Sequence, residues 1–592
     1  MIVSSVQRSA FSVQVWKIYL FLFFILSAFP YPLSAIYAQD EILEANIDFA
    51  ANTIPLPKIF SPNIDLSGRG INRTNTWPQS LSAEKAIEAW GKDIGFKGIY
   101  RLQYDLWEIH QLSKDKEAQD KLLANYDKII KSVSDSGGIV LLDLYGTPAG
   151  LGKVLDKNSP PWDLKAFKEL IKQHMRVLSC DKKYNIWYEV WSAPDLDDFF
   201  LGDKQEYFNM YRVVAQCARE LETENKIHIP VGGPSSSCWF QNTDGNTVMT
   251  PERSLIYEFI KFCYRYRLRI DFISWHSYST SPNRDQDTTT YKKNPVNLIR
   301  DWLTYFNFDK ATPLIIDEWN YDSGLNLDPE RDSASYVASS YIPSRLKNMF
   351  DIGINHQVYF CLEDFKNEKE GVIRNVGAFW FDLEASEYKG APKQIYNVFR
   401  MIRSLGENML PEPLKSGDGF LDVIATKSQD SLVLLIYNYI DPDIAKNFIS
   451  KNIASLSDGE RKILLSFIKA GGLAKIKDVD TLSWNVRNKK VERLLDKARQ
   501  LDSQALKLKD SPRTLGLNIK NLKGNYLYQK YSVDSSCGNN CNFTPSEEKE
   551  IEITDIYKDV LFVKPYSVTL IILKSKPKVE PVAPAANKVL GQ

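Results

Sequence analysis

The stretch Trp187-Tyr-Glu-Val-Trp-Ser-Ala-Pro-Asp-Leu196 alternates apolar and polar residues, then breaks at Pro194 into an acidic loop with Asp195, Asp197 and Asp198. Proline cannot donate to a sheet ladder, so a strand that reaches Pro194 ends there and presents its last side chains at its C-terminal tip. Pro313-Leu-Ile-Ile-Asp-Glu-Trp-Asn320 is a second apolar strand, tipped by the carboxylate of Glu318. Asp271-Phe-Ile-Ser-Trp-His-Ser-Tyr278 is tipped by an imidazole, His276, and a phenol, Tyr278, and Gly98-Ile-Tyr-Arg101 by a guanidinium. Carboxylates, imidazoles and phenols at strand ends are the side chains of acid–base and covalent catalysis. Taken singly, each has a plainer reading: a solvated carboxylate, a core histidine, a rim tyrosine, an ordinary ion pair.

Such tips converge only if the strands run the same way. From about Ile64 to Gly406 short apolar strands alternate with amphipathic helical stretches, the pattern of βα units. Strands are expected within Ile64–Gly70 and at Gly98–Leu102, Gly138–Tyr145, Trp187–Trp191, His228–Val231, Asp271–His276, Leu314–Trp319 and Gln357–Leu362. Helices are expected after Ser82 as N-cap and at Ala166–Leu178, Tyr207–Glu222 and Pro251–Tyr264. Eight such units point to an α/β fold, a (β/α)8 TIM barrel over 63–410, whose chemistry sits where the strands end. Beyond it, Leu421–Thr426 and Ser431–Tyr439 alternate around a turn at Lys427-Ser-Gln-Asp430, and similar strands return at Thr514–Ile519, Tyr526–Val533 and Ser567–Leu573. Residues 411–440 and 511–573 are thus expected to form a β-sandwich, interrupted by a helical insertion at 441–510. In the insertion, Ser457-Asp-Gly-Glu460 is a capping box whose helix stops at Gly471-Gly472. A later helix carries a stripe of Val491, Leu494, Ala498, Leu501, Ala505 and Leu508, expected to pack on a partner helix or on the sandwich. An N-terminal segment, 39–62, precedes the barrel, and the Lys-, Pro- and Ala-rich tail 574–592 reads as disordered.

Across 592 residues, 74 Lys plus Arg balance 74 Asp plus Glu, so no net field recruits nucleic acid or an acidic surface. Aromatic residues make up 12% of the chain; sugar-binding clefts need such flat amphipathic faces, but large cores use them too. The five His are scattered and there is no CxxC pair, so neither a metal site nor a cofactor is expected. Cys537 and Cys541 lie close enough to bridge, whereas Cys180, Cys217, Cys238, Cys263 and Cys361 read as buried free thiols. At the N-terminus, Arg8 and Lys17 flank an apolar run from Ile18 to Phe29, and Ile36-Tyr-Ala38 offers a cleavage site before Gln39. The run falls short of the ~20 residues that span a bilayer. Residues 1–38 therefore read as a secretory signal peptide, with an uncleaved membrane anchor as the alternative because the charged segment before the run is long. The protein is expected to be secreted, periplasmic or at the cell envelope, with no membrane span after cleavage.

The three longer stretches resemble motifs of clan A glycoside hydrolases, most closely family 39, the β-xylosidase and iduronidase type. Trp187–Leu196 is similar to the family's fourth-strand Glu-Val-Trp-Asn-Glu-Pro-Asp-Leu, Pro313–Asn320 to its seventh-strand Glu-Trp, and Asp271–Tyr278 to its sixth-strand His-x-Tyr. Arg101 and the Tyr145-Gly-Thr-Pro148 loop also match the pattern. The resemblance implies a barrel followed by a β-sandwich and an oligo- or polysaccharide ligand. It implies a retaining site in which Glu318 is the nucleophile, Tyr278 donates to it, Arg101 steadies it and His276 lines the sugar pocket. Trp191, Trp239 and Trp275 would offer platforms for sugar rings. Retention also needs a second carboxyl about 5–5.5 Å from the nucleophile. The family's Asn and acid/base Glu fall at Ser192 and Ala193, and Ala193 has no proton to give. Ser192 can still donate to a sugar hydroxyl. Glu189 shares the parity of 193 but lies two steps deeper, and Asp195, Asp197, Asp198, Glu363 and Asp364 are the rim acids within reach in sequence. Three functions follow: a glycosidase with a relocated or substrate-supplied acid, an exported pseudoenzyme that binds polysaccharide, or an envelope scaffold that docks a partner through the insertion.

Overall fold

Seven parallel strands line up in one sheet: Ile99–Asp105, Ile139–Tyr145, Ile186–Val190, Val231–Ser236, Ile273–His276, Leu314–Trp319 and His356–Tyr359. Ile64 and Asp65 fill the gap between its edges, bridging Tyr359 on one side and Arg101 on the other. The Asp65 amide donates to the Tyr359 carbonyl and the Leu66 amide to that of Arg101, both at 2.8 Å, so the sheet closes as a TIM barrel whose first strand is reduced to its bridging residues. Residues 42–66, 81–241, 243–244, 247–286, 291–321, 336–367, 372–374, 377–379, 392–414, 419–477, 484, 486–537 and 542–576 are described by this computed structural model. The apolar run Ile18–Phe29, the rest of the expected signal peptide and the tail from 577 onward lie outside them.

A strand buried on both faces reads as a continuous apolar run. Inside the ring, Ile99, Leu141, Phe272, Ile315 and Val358 form a plug, and the outer faces pack on the surrounding helices. The helices start at clear caps. Asp203 and Glu206 make a reciprocal capping box for Lys204–Asn225, and Asp163 and Ser254 cap Leu164–Met175 and Leu255–Tyr266. Ser82 is not a cap, because its helix already runs from Leu81 to Asp93.

The fifth strand is displaced from the expected His228–Val231 to Val231–Ser236. Its Gly-Gly-Pro-Ser-Ser sequence has little strand propensity, yet packing demands it. A Cβ on Gly232 would lie 2.5 Å from the carbonyl oxygen of Phe272 in the adjoining segment, so only glycine lets the two backbones approach this closely.

The strands beyond the barrel form two sheets. One has seven strands, in the order Glu547–Ile553, Gly524–Val533, Ser567–Ser575, Ser431–Asn438, Leu421–Lys427, Asn408–Met409 and Ile54–Pro55. The other joins Leu43–Asp48, Arg513–Lys520 and Ile556–Val563. Ile47, Leu434, Leu515 and Ile571 pack in the core they share. The N-terminal segment thus supplies strands to the antiparallel domain, and Lys574 and Ser575, expected in the tail, belong to its strand Ser567–Ser575.

The insertion comprises helices Ile444–Asn452, Asp458–Lys469, Gly472–Lys477 and Lys489–Lys509 around Leu464, Phe467, Trp484, Val491 and Leu495. Its capping box, Ser457 with Glu460, is formed. Cys537 is disulfide-bonded, while Cys541 lies outside the described residues. The other cysteines are free, with Cys180 and Cys238 half-buried rather than buried. Among the described residues no helix is long and apolar enough to cross a membrane.

Candidate active site

Arg101 leaves the second barrel strand and sits among carboxylates from four others. Its Nε donates to Glu189 at 2.8 Å, Nη2 to Asp143 at 3.2 Å, and Nη1 to both Asp65 at 3.1 Å and Glu318 at 2.6 Å. The guanidinium is 2% exposed and stays protonated. Burying an ion is expensive unless it is paired and hydrogen-bonded, and here the cation and its partners are buried as a set.

Glu318 faces outward from this cluster and is 8% exposed. The Tyr278 hydroxyl donates to its Oε2 at 2.7 Å, His276 Nδ1 lies 3.4 Å from the same oxygen, and the Ser192 hydroxyl reaches Oε1 at 3.5 Å. Burial alone would raise the Glu318 carboxyl. His276, Arg101 and the Tyr278 hydroxyl outweigh it and hold the group below the usual carboxylate range. Burial also pushes His276 down, against the pull of Glu318. Arg101, whose guanidinium does not lose its proton, is a permanent cation beside Glu318.

The ladder of the seventh strand shifts register between Ile316 and Glu318. Such an irregularity re-aims side chains, and both Asp317 and Glu318 consequently reach His276, Asp317 at 3.6 Å from Nε2. Ser235, held at φ +50°, hydrogen-bonds Asp317 and approaches His276 Nε2 at 3.2 Å. Burial and the nearby Glu189 charge push the Asp317 carboxyl well above its usual range. Burial does the same to Asp143, with Arg101 opposing. The site thus holds an ionised carboxylate at its mouth and carboxyls that favour the neutral form beneath it.

Across the opening the chain turns sharply at Trp191 (φ +68°) and Ala193 (φ +48°). The Ala193 amide donates to the Ser235 carbonyl at 2.8 Å, and the residue is 2% exposed. The candidate stand-in acids are engaged with other partners, buried or exposed on the loop. Asp195 accepts from the amide and hydroxyl of Ser237 at 2.8 and 2.7 Å, Asp364 is ion-paired with Lys393, and Glu363 is buried. Glu189 is bound to Arg101 and accepts from the Ser274 hydroxyl at 2.7 Å. Asp197 and Asp198 are exposed on the loop.

Two of the expected sugar platforms are not available. Trp191 is 1% exposed, wedged between the rings of Tyr145 and Phe200, with its indole N–H donated to the Phe199 carbonyl at 3.0 Å. Trp275 is 0% exposed. Both rings serve the core, because a strand-end indole that turns inward is worth more as buried area than as a wet surface. Trp239 is half-buried and, with Pro194, Asp195 and Asp197, lines a cleft of about 500 Å³ beside the Ala193 turn. Tyr145, from the loop expected after the third strand, donates to Asn158 at 2.6 Å and so braces that loop.

Sequence reasoning did not single out Asp65, Asp143, Ser235, Ser274 or Asp317. Asp143 carried a signal: a lone acid in Leu141-Leu-Asp-Leu144, at the inward parity of Arg101 and aligned with Glu189. Among the described residues no cluster of His, Cys, Asp and Glu could hold a metal ion.

Residues 154–467 match the family model "Glycosyl hydrolases family 39". The chain is 24% identical over 386 residues to a β-xylosidase of Caldicellulosiruptor saccharolyticus, covering 60% of this chain and 72% of that protein. It is 26% identical over 298 residues to a β-xylosidase of Geobacillus stearothermophilus, covering 48% of this chain and 53% of that one. Its fold superposes on a family 39 enzyme from Xanthomonas axonopodis pv. citri with a TM-score of 0.59 at 14% identity, over 92% of this chain and 100% of the other. With a closed barrel and an antiparallel sheet domain in place, and a family match across more than half of its 592 residues, the chain belongs to glycosyl hydrolase family 39.

Proposed function

We propose that the chain is an exported glycoside-binding protein with a retaining-type site that has kept its nucleophile, Glu318, and lost its acid/base at Ala193. The observation that carries this reading is the state of Glu318. It is held ionised by Arg101 at 2.6 Å and Tyr278 at 2.7 Å, at the mouth of a barrel. Keeping one cation and its surrounding carboxylates buried is costly, and a bare scaffold has no use for it. In this reading Glu318 attacks the anomeric carbon, the bond to the leaving oxygen breaks, and a glycosyl ester forms. The departing oxygen takes no proton from residue 193. Turnover is therefore confined to glycosides whose leaving group departs as an anion, or which bring their own acid. His276 and Ser192 would contact sugar hydroxyls, and the cleft beside Trp239 would take the leaving group. The named relatives are β-xylosidases, which makes a β-xyloside the first substrate to try.

A dinitrophenyl 2-deoxy-2-fluoro-β-xyloside needs no acid to lose its leaving group. It should add one fluoroxylosyl group to the protein, located by peptide mass mapping on Glu318 and abolished in Glu318→Gln. Binding of xylo-oligosaccharide without any such adduct would instead identify a pseudoenzyme, a reading favoured by the buried methyl of Ala193. Export is part of the proposal, with release of residues 1–38 as its test: N-terminal sequencing of the mature protein should begin at Gln39.

A further inference from the structure

A cleft of about 1220 Å³ opens where barrel, antiparallel domain and insertion meet. It is larger than the roughly 300–1,000 Å³ of most small-molecule pockets, which suits an extended ligand. Its walls come from separate parts of the chain. The loop after the sixth barrel strand contributes Asn283 and Gln286, and the helix Tyr336–Asp351 contributes Lys347 and Asn348. The antiparallel strands add Asp422 and Tyr437, and the insertion adds Asn447, Phe448, Leu501 and Gln504.

The insertion's apolar stripe divides here. Val491 and Ala498 are buried in the insertion's own core and Ala505 packs toward the barrel, but Leu501 is only half-buried and faces the cleft. Phe420 and Phe448 are half-buried on its lining.

The charges of the lining nearly cancel: Lys347, Lys451 and Lys507 stand against Asp351, Glu412, Asp422 and Asp441. Neither an anionic polymer nor a bare cation is favoured by that balance. Side-chain amides on opposing walls, a carboxylate and partly bare aromatic rings are the partners of a neutral polyhydroxylated ligand. Vicinal hydroxyls pair with amides and carboxylates, and the C–H face of a pyranose lies on a ring. Asp422 has capacity left for such a hydroxyl. Its Oδ1 accepts from the Val423 amide at 2.7 Å, but its Oδ2 receives only a long 3.4 Å bond from Tyr437. The cleft also adjoins the catalytic end. Ser281 on its rim belongs to the same loop as Tyr278, the donor to Glu318.

We propose that this cleft is a second carbohydrate-binding site, which holds a neutral oligosaccharide segment of the polymer presented to Glu318. The proposal rests on the reading of the Glu318 site as a glycoside site, and the test separates the two. Xylohexaose, cellohexaose and mannohexaose would be titrated calorimetrically into the full chain carrying Glu318→Gln. One of them should bind at two sites. Leu501→Trp, which fills the cleft, and Gln504→Ala, which removes an amide, should each weaken one site about tenfold, the scale of one hydrogen bond. In the chain with Glu318 intact, neither change should alter labelling by the fluoroxyloside, which is too short to need the cleft. Single-site binding that ignores both substitutions, or no binding by any of the three sugars, would overturn the second site even if Glu318 is labelled. Binding that both substitutions weaken, with Glu318 unlabelled, would sustain the second site and remove the nucleophile.

Discussion

A retaining site needs a nucleophile and a proton donor, and at the residue scale the proposed site separates the two. The proposed nucleophile is supported by Arg101, Tyr278 and His276, whereas position 193 offers a methyl group. A positioned general acid contributes about 10²–10⁴-fold. Ala193→Glu should therefore raise turnover of aryl β-xylosides at least about tenfold, and most for the poorest leaving groups. Equal rates for variant and parent would mean that the turn no longer aims residue 193 at the scissile bond.

Asp317 permits a test by pH. Its folded carboxyl titrates well above the ordinary Asp value near 3.9, so the folded state holds this proton more tightly than the unfolded chain. Its stabilisation is complete below that ordinary value and declines as pH rises above it toward the folded one. Asp317→Asn removes the titration while keeping an acceptor for Ser235. The variant should lose less unfolding free energy than the parent between pH 4 and 8 in urea titrations; an equal or steeper loss would assign the proton elsewhere. Glu318, His276 and Tyr278 were legible in sequence because each ends a strand in a motif with fixed spacing. Asp317 and Ser235 were not, because their roles come from a register shift and a left-handed turn that no local pattern announces.

At the scale of elements, the loop that bears Tyr278 is held from several sides. Arg345, 1% exposed, donates to the Pro282 carbonyl and the Ser277 hydroxyl, each at 2.8 Å, and pairs with Asp285. From outside the barrel, Tyr439 donates to the Thr280 carbonyl at 2.5 Å and Asn447 to the Thr280 hydroxyl at 2.8 Å. The helical insertion thus touches the loop that positions the donor to Glu318. Asn447→Ala removes this hydrogen bond, worth about 0.5–1.5 kcal/mol, together with the 2.8 Å bond from the same amide to Asp441. If that energy positions Tyr278, labelling of Glu318 should slow by about 2–10-fold with the melting temperature little changed. An unchanged labelling rate would show that Arg345 and Tyr439 fix the loop without the insertion. Most barrel strands were legible as apolar runs between helices. The fifth was misplaced because its residues are selected by close backbone approach rather than by strand propensity. Glu547–Ile553 was missed because it is a charge-rich edge strand, the composition that guards a sheet edge against further pairing.

On the scale of the whole molecule, segments far apart in sequence meet in the antiparallel domain. Leu43–Asp48 pairs in parallel with Leu515–Lys520, and Ala45 and Ile47 are buried there. Ile47→Ala deletes buried methyl groups at a cost of about 2–5 kcal/mol, which chemical denaturation of the full chain would register. A cost under about 1 kcal/mol would mark the strand as an ornament. The sequence had placed residues 39–62 outside either domain, since a strand so far from its partner shows only its own short alternation.

That pairing also orders events during synthesis. Leu43 can find Leu515 only after the barrel and the helical insertion between them have emerged, whereas the barrel strands from Ile99 onward pair with neighbours a short way along the chain. Long-range closures are slow because loop entropy is lost before contacts compensate for it. The barrel should therefore fold while the first strand still waits, and a polypeptide released before Arg513 would carry a permanently unmatched edge. Such an edge recruits strands from other chains, so premature termination would yield aggregates rather than a trimmed, working barrel.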